Sequence, residues 1–122
     1  MYKNSLYAFA VLIVIFAGIM IQAHSSTINK EVLKITDEEY NWSEAMSSCI
    51  DLKEGWVLPS VLELVGLYYF NNDIRWHKPT DYWSSTRMLN RGFGLNTRFG
   101  ILSLDAMQDQ DHFICIRSKV TP

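Results

Sequence analysis

A long uncharged run near the N-terminus decides how much of this chain can fold into a domain. The run extends over 16 residues, from Leu6 to Ile21, and the only charged side chain before it is Lys3. This length matches the hydrophobic part of a secretory signal peptide, whereas a membrane-spanning helix usually needs ~20 residues. The pattern predicts a signal peptide or signal anchor over residues 1–25, which leaves fewer than 100 of the 122 residues for a folded domain.

Two fates of this segment would give two different proteins. Ala23 and Ser25 are small residues at the −3 and −1 positions that a signal peptidase accepts, so cleavage would release the domain. Alternatively, Gly18–Ala23 extends the apolar helix, and the segment remains as a membrane anchor. In both cases we expect the rest of the chain to be extracytoplasmic (periplasmic, secreted or membrane-anchored), because the flanking positive charge lies at the N-terminus.

The charge of the remaining chain limits the classes of partner. Residues from His24 onward carry all 13 acidic side chains and 10 of the 11 basic ones, a net charge of −3. Nucleic-acid-binding domains instead carry clusters of positive charge that neutralise phosphates. The composition therefore argues against nucleic acid and leaves a protein or carbohydrate ligand, with a membrane contacted through the N-terminal segment if that segment is not cleaved.

Two helix starts are marked by capping signals, in which a polar side chain and a Glu three residues later satisfy free backbone N–H groups. Asn41 and Glu44 form a variant of this capping box, and apolar residues recur behind them at helical spacing until Gly55. Ser60 and Glu63 form a full box. We expect one helix after Asn41, ending at Gly55, and a second helix after Ser60.

The rest of the chain shows the alternation of apolar and polar residues that is typical of strands. Residues 26–40 form a linker with a candidate first strand, Glu31–Thr36. Turns predicted at residues 90–92 and 98–100 separate strands over residues 82–87, 93–97, 101–105 and 112–118. Two helices followed by short antiparallel strands predict the α+β class, in one domain over residues 41–118.

Four motifs in a fixed order resemble one protein family. They read WSEAMSSC at residues 42–49, GWVLPSVLEL at 55–64, YWSST at 82–86 and CIR at 115–117. Over about residues 40–118 the chain is similar to the bacterial Lcl C-terminal-like domain, a branch of the C-type lectin-like fold that is related to formylglycine-generating enzymes. The resemblance implies two helices packed on a small antiparallel sheet.

The resemblance also implies a disulfide bond between Cys49 on the first helix and Cys115 on the last strand. Formylglycine-generating relatives depend on reactive cysteines beyond this structural bond, and the chain contains only two cysteines. Once these are paired, none is left for that chemistry. We therefore expect no enzyme activity and no cofactor.

Aromatic and apolar residues of the motifs receive structural roles from the same resemblance. It implies that Trp56, Leu58 and Pro59 form the bend between the helices. It also implies that Tyr82 and Trp83 anchor the central strand. Residues 84–86 are interpreted as small side chains that let strands pack closely, because no nucleophile-elbow pattern surrounds the serines. With a tryptophan of the first helix, the predicted core motif is Trp42, Trp56, Leu58, Pro59, Tyr82 and Trp83.

An acidic stretch, Asp105–Asp111, is the candidate for a calcium site. Its three aspartates and two glutamines offer oxygen atoms, but it lacks the glycine and the terminal Glu of an EF-hand loop. Calcium requires 6–8 oxygen ligands. We therefore expect a solvated acidic hairpin and no metal, with calcium binding as the alternative.

Two loops are candidates for ligand binding, because loops on a rigid scaffold often carry function. In the first, Trp76 would stack on a sugar face or dock into a partner; the alternative is that this ring caps the core. Its neighbours Arg75, His77 and Lys78 make the loop locally positive. The second is the hairpin tip over residues 87–91, with Arg87 and Arg91.

Two functions remain open at this point. The first is an exported non-catalytic C-type lectin-like binding module that recognises a protein or carbohydrate ligand. The second is a small membrane-anchored accessory subunit of an envelope or surface complex. A cleaved N-terminus would favour the first function, and an intact one would favour the second.

Overall fold

The computed structural model describes residues 14–22, 30–34, 38–71, 73–74, 76 and 79–119. Residues 14–22 are helical (α1), and most of their side chains are exposed. No helix within the described ranges is long and apolar enough to cross a membrane. The predicted cleavage positions, Ala23 and Ser25, lie outside these ranges, so the choice between signal peptide and anchor stays a prediction.

Two helices and five strands follow α1 in the described part of the chain. In order they are β1 (Lys30–Lys34), α2 (Trp42–Asp51), α3 (Val61–Phe70), β2 (Asp81–Met88), β3 (Arg91–Asn96), β4 (Ile101–Ala106) and β5 (Ile114–Ser118). The strands pair antiparallel in two sheets, β1–β5 and β2–β3–β4. The α+β class is confirmed, with the predicted strands divided between two small sheets.

Both predicted capping boxes are present and start the two helices of the domain. The Asn41 side chain accepts a hydrogen bond from the Glu44 N–H at 2.9 Å, and the Asn41 N–H donates to the Glu44 carboxylate at 3.2 Å. Ser60 and Glu63 make the same reciprocal pair at the start of α3. These starts depend on residues three positions apart, so local sequence alone determines them.

The end of α2 differs from the predicted stop at Gly55. The helix ends at Asp51, and the backbone then takes positive φ angles at Lys53 (61°), Glu54 (58°) and Gly55 (85°). A left-handed residue ends a helix, and here the left-handed turn begins before the glycine. The turn directs Val57 alongside the last strand, where it exchanges two backbone hydrogen bonds of 2.8 Å with Ile116.

Strand β2 is covered on both faces, because a helix packs against each. Trp83 belongs to a core cluster with Cys49 of α2, whereas Tyr82 belongs to a second cluster with Leu64 and Leu67 of α3. The Trp83 indole N–H donates to the Tyr40 carbonyl at 2.8 Å. The core roles predicted for Tyr82 and Trp83 follow from this position between two clusters.

The hydroxyl residues after Trp83 do more than permit close packing, which corrects their interpretation as spacers. The Ser84 hydroxyl donates to the Phe93 carbonyl at 2.7 Å and so joins β2 to β3. The Thr86 hydroxyl accepts from the Val61 N–H at 2.9 Å. Because the first N–H groups of a helix have no partner within the helix, Thr86 satisfies one of them at the start of α3.

Gly92 was expected in a turn, but it lies within β3. A Cβ atom at this position would approach the Trp42 ring at 2.8 Å and the Trp83 ring at 2.9 Å. The two indoles therefore occupy the space that a larger residue would need. The turn itself is shorter than predicted and consists of Leu89 and Asn90.

The disulfide bond implied by the family resemblance is confirmed. Cys49 and Cys115 are bonded with a Cα–Cα distance of 5.5 Å, and both are fully buried. The bond joins α2 to β5 across a separation of 66 residues. In the chain-entropy model, closing a loop of this length contributes about 4 kcal/mol to stability.

A candidate binding pocket at the terminal strands

A pocket of about 580 Å³ lies where both terminal strands meet the loop after α3. This volume is within the range of about 300–1,000 Å³ that is typical of sites for small ligands. Strands β1 and β5, the residues between α2 and α3, and the start of β2 all contribute to it. Its lining consists of Lys30, Glu31, Val32, Trp56, Asn71, Asp73, Ile74, Trp76, Tyr82, Ile114 and Lys119.

Trp76 combines the two roles that the sequence left open. Its ring packs edge-on against Tyr82, with 4.9 Å between centroids, and lies 6.0 Å from the Tyr68 ring. These contacts place it against the core cluster around α3. The side chain is nevertheless only partly buried, and it lines the pocket. A ligand in this pocket would meet an aromatic surface already held by the core.

Trp56 is a second aromatic wall, which the sequence interpretation placed only at the bend between helices. The guanidinium carbon of Arg117 lies 4.5 Å from the centroid of the Trp56 ring. The Arg117 side chain also donates hydrogen bonds to Glu31 and Glu54. The bond to Glu31 raises the pKa of Arg117 more than burial lowers it. The Arg117 guanidinium therefore holds the Trp56 ring in place through a cation–π contact.

Two lysines lie at one end of the pocket. Lys30 is in register with Ser118, which precedes Lys119, so both ammonium groups belong to the same end of the β1–β5 pair. The Lys30 ammonium lies 3.4 Å from the Glu63 carboxylate, and Lys119 is exposed. Glu31, an acid of the lining, is engaged by Arg117. Lys30 is paired with Glu63, and Asp73 is a second acid of the lining, so Lys119 contributes the exposed positive charge at this end.

Of the other predicted binding residues, Arg87 and Arg91 are described, and they lie away from this pocket. Arg75, His77 and Lys78 lie outside the described residues, so their roles stay predictions. Arg87 and Arg91 lie at the β2–β3 hairpin tip, at the far end of β2 from Tyr82. The Arg87 guanidinium carbon is 5.9 Å from the Trp42 ring, and Leu89 at the tip is 89% exposed. The hairpin tip and the pocket are therefore separate surfaces.

Three carboxylates come together at the predicted acidic stretch. Asp105 and Asp111 are joined by Asp81 of β2, with ligand oxygens within 4.8 Å of one another, whereas Asp109 is outside the group. Burial, then the hydrogen bond with Asp105 and the neighbouring negative charges, raises the pKa of Asp111 to about 8. Asp111 therefore holds its proton to a higher pH than an ordinary aspartate does. One oxygen from each carboxyl group supplies three of the 6–8 ligands of a calcium site, and the absence of metal stays a prediction.

The sequence contained a signal for only part of the pocket. Trp76 was found because an aromatic residue in a charged loop is conspicuous. Val32 and Ile114 were missed because their place in the lining depends on the pairing of β1 with β5. Trp56 belongs to a motif to which the family resemblance gives a structural role. Nothing in the local sequence indicated that its ring also lines a pocket.

Comparisons with known proteins give matches among solved structures. No protein-family model and no curated protein matches the sequence. Among solved structures the chain is similar to botrocetin, a snake venom C-type lectin-like protein, with a TM-score of 0.49 and 14% identity. The match covers 75% of this chain and 90% of that one. At this identity the likeness concerns the fold, and no residue role is transferred.

Proposed function

We propose that this chain is an exported, non-catalytic C-type lectin-like binding module of the bacterial Lcl-like branch, which binds a protein or carbohydrate ligand in the pocket beside Trp76. The pocket is the observation that carries the proposal. It combines half-buried aromatic rings with a few polar groups, which is the usual composition of a recognition site. Because Tyr82 and Arg117 already hold its two tryptophans, a ligand would not bear the cost of ordering them.

The bonding of the reactive side chains supports a role in binding without catalysis. Both cysteines are in the disulfide, which leaves no free thiol in the chain. The Ser84 hydroxyl is fully buried and donates to a backbone carbonyl. A nucleophilic serine would instead need a base within hydrogen-bonding reach and access to substrate. A disulfide is also typical of proteins in oxidising compartments outside the cytoplasm, which supports export.

Substitution of Trp76 tests this function. The full-length chain and its Trp76→Ala variant are compared for binding to a panel of immobilised oligosaccharides and octapeptides. For an aromatic anchor we expect binding to weaken by about 2 kcal/mol or more. Stability should fall by about 1–3 kcal/mol, less than for a fully buried tryptophan, because the ring is only partly buried.

Trp42→Ala is the matched control for this experiment. Trp42 is also partly buried, and its indole N–H donates to the Ser84 carbonyl at 2.9 Å, but it is not part of the pocket lining. This variant should lose stability and keep its affinity for the panel. Equal affinity of wild type and Trp76→Ala for every ligand found would refute the pocket as the binding site.

A membrane-anchored accessory subunit is the second candidate, and the helix α1 favours it. Its large apolar side chains, Val14, Ile15, Phe16, Ile19 and Ile21, are between 43% and 70% exposed. Such a surface is suited to burial in lipid or against a partner protein. The mass of the mature protein in membrane and soluble fractions tests this candidate. Full-length protein in the membrane fraction would support it, and a shortened protein in the soluble fraction would contradict it.

A further inference from the structure

The edge of β1 indicates which class of ligand suits the pocket. All five residues of β1 pair with β5 on one side, and in the described part of the chain no strand pairs with the other side. In a strand, every second residue directs its backbone N–H and C=O away from the existing partner. The outer edge of β1 therefore offers a row of hydrogen-bonding groups to another extended chain.

The pocket borders this same edge. Three consecutive residues, Lys30, Glu31 and Val32, line it, although consecutive side chains of a strand point to opposite faces. Trp56 and Trp76 contribute from the two different core clusters. The far side of β5 is closed by its bridge to Val57. The pocket therefore reaches both faces of the β1–β5 sheet. Because the other edge of this sheet is closed, the pocket passes around the outer edge of β1.

Charge and apolar surface define the side chains that this ligand would carry. Lys119 places an exposed ammonium group at one end of the pocket, whereas Lys30 is paired with Glu63 and Glu31 with Arg117. Val32 and Trp76 provide apolar surface beside the strand edge. An occupant with a carboxylate at one end and an apolar side chain further along would complement both regions.

We propose that the pocket binds an extended peptide with a carboxylate near one end, which adds to the outer edge of β1 as a further strand. One of its apolar side chains packs between Val32 and Trp76, and the carboxylate faces Lys119. Backbone hydrogen bonds then supply affinity, and the pocket selects the side chain, as in other cases of strand addition. This inference rests on the proposed function of the same pocket and makes the carbohydrate alternative an outcome of its test.

The test uses displayed random octapeptides selected against the full-length chain. We expect enrichment of sequences that carry Asp or Glu near one end and an apolar residue further along. Reversal of one rim charge by Lys119→Glu should weaken the best peptide about fivefold, and added salt should have a similar effect. Arg87→Glu, the same change at the hairpin tip, is the matched control and should leave the affinity unchanged.

N-methylation of the best peptide tests the strand pairing itself. A methyl group on every second backbone nitrogen should weaken binding about tenfold or more, whereas methylation of the intervening nitrogens should have little effect. An affinity that is insensitive to N-methylation at all positions would overturn the inference. So would enrichment of basic peptides, or a selection from which no peptide is enriched.

The same variants separate failure of the inference from failure of the proposed function. If oligosaccharides bind to wild type and bind more weakly to Trp76→Ala, while no peptide binds, the pocket remains the binding site. The inference of a peptide ligand is then wrong. If peptides bind but their affinity depends on Arg87 and is independent of Trp76, both proposals are wrong. In that case the hairpin tip is the interaction surface.

Discussion

Replacing Asp111 by asparagine is expected to stabilise the protein at neutral pH. Asp111 lies with Asp81 and Asp105 in a partly buried cluster, where an ionised carboxylate would meet two further negative charges. Burial is the largest cause of its raised pKa of about 8. Asparagine has nearly the shape of the protonated acid and cannot ionise, so it keeps the packing and removes the penalty.

The pH window follows from the two pKa values. The folded pKa of about 8 lies above the ordinary value of 3.8, so the contribution of this carboxyl to stability is fully present below about pH 4. It is lost as the pH rises towards about 8. Each pH unit in this window costs up to about 1.4 kcal/mol. Because solvent screens the partly exposed group, we expect a loss of about 2 kcal/mol over the whole window.

Urea unfolding at intervals between pH 4 and pH 8 measures this effect. Wild type should lose stability relative to Asp111→Asn as the pH rises, with the two converging at pH 4. Asp51→Asn is the control, because Asp51 is exposed at the end of α2 and is not among the carboxylates that raise the pKa of Asp111. If the difference between wild type and Asp111→Asn were the same at pH 4 and pH 8, the reasoning from burial and neighbouring charge would be refuted.

Three further predictions concern the disulfide, a helix start and calcium. Replacing both Cys49 and Cys115 by alanine should cost about 4 kcal/mol of unfolding free energy, and thiol labelling of the native wild type would contradict the bond. Thr86→Val should cost about 1 kcal/mol in urea unfolding, because it removes the acceptor for the Val61 N–H; an unchanged midpoint would show that water replaces it. Millimolar calcium should leave the melting temperature unchanged, and a rise of many degrees that a chelator reverses would establish a metal site.

Features of the fold that depend on neighbouring residues were predictable from the sequence. The capping boxes of Asn41 and Ser60 act over three positions, and alternation indicated each strand to within a few residues. The burial of Tyr82 and Trp83 on opposite faces of one strand was not predictable from alternation. It results from the positions of α2 and α3 in space, which no local pattern contains.

The candidate site shows the same division. Trp76 was recognisable in its loop, but the walls opposite it come from both ends of the chain. Arg117 contacts Glu31 from 86 residues away, and through this position it also supports Trp56. The pocket is therefore a property of tertiary pairing, and single-sequence reasoning found only the part that one loop supplies.

The order in which the chain closes on itself gives the disulfide a second consequence. Without the bond, pairing of Glu31 with Arg117 must close a loop of 86 residues. With Cys49 joined to Cys115, the shortest path between them is about 20 residues, which lowers the entropic cost of closure by about 1 kcal/mol. Oxidation thus favours docking of β1, the strand whose edge borders the pocket. In a reduced chain this strand should be the first to detach.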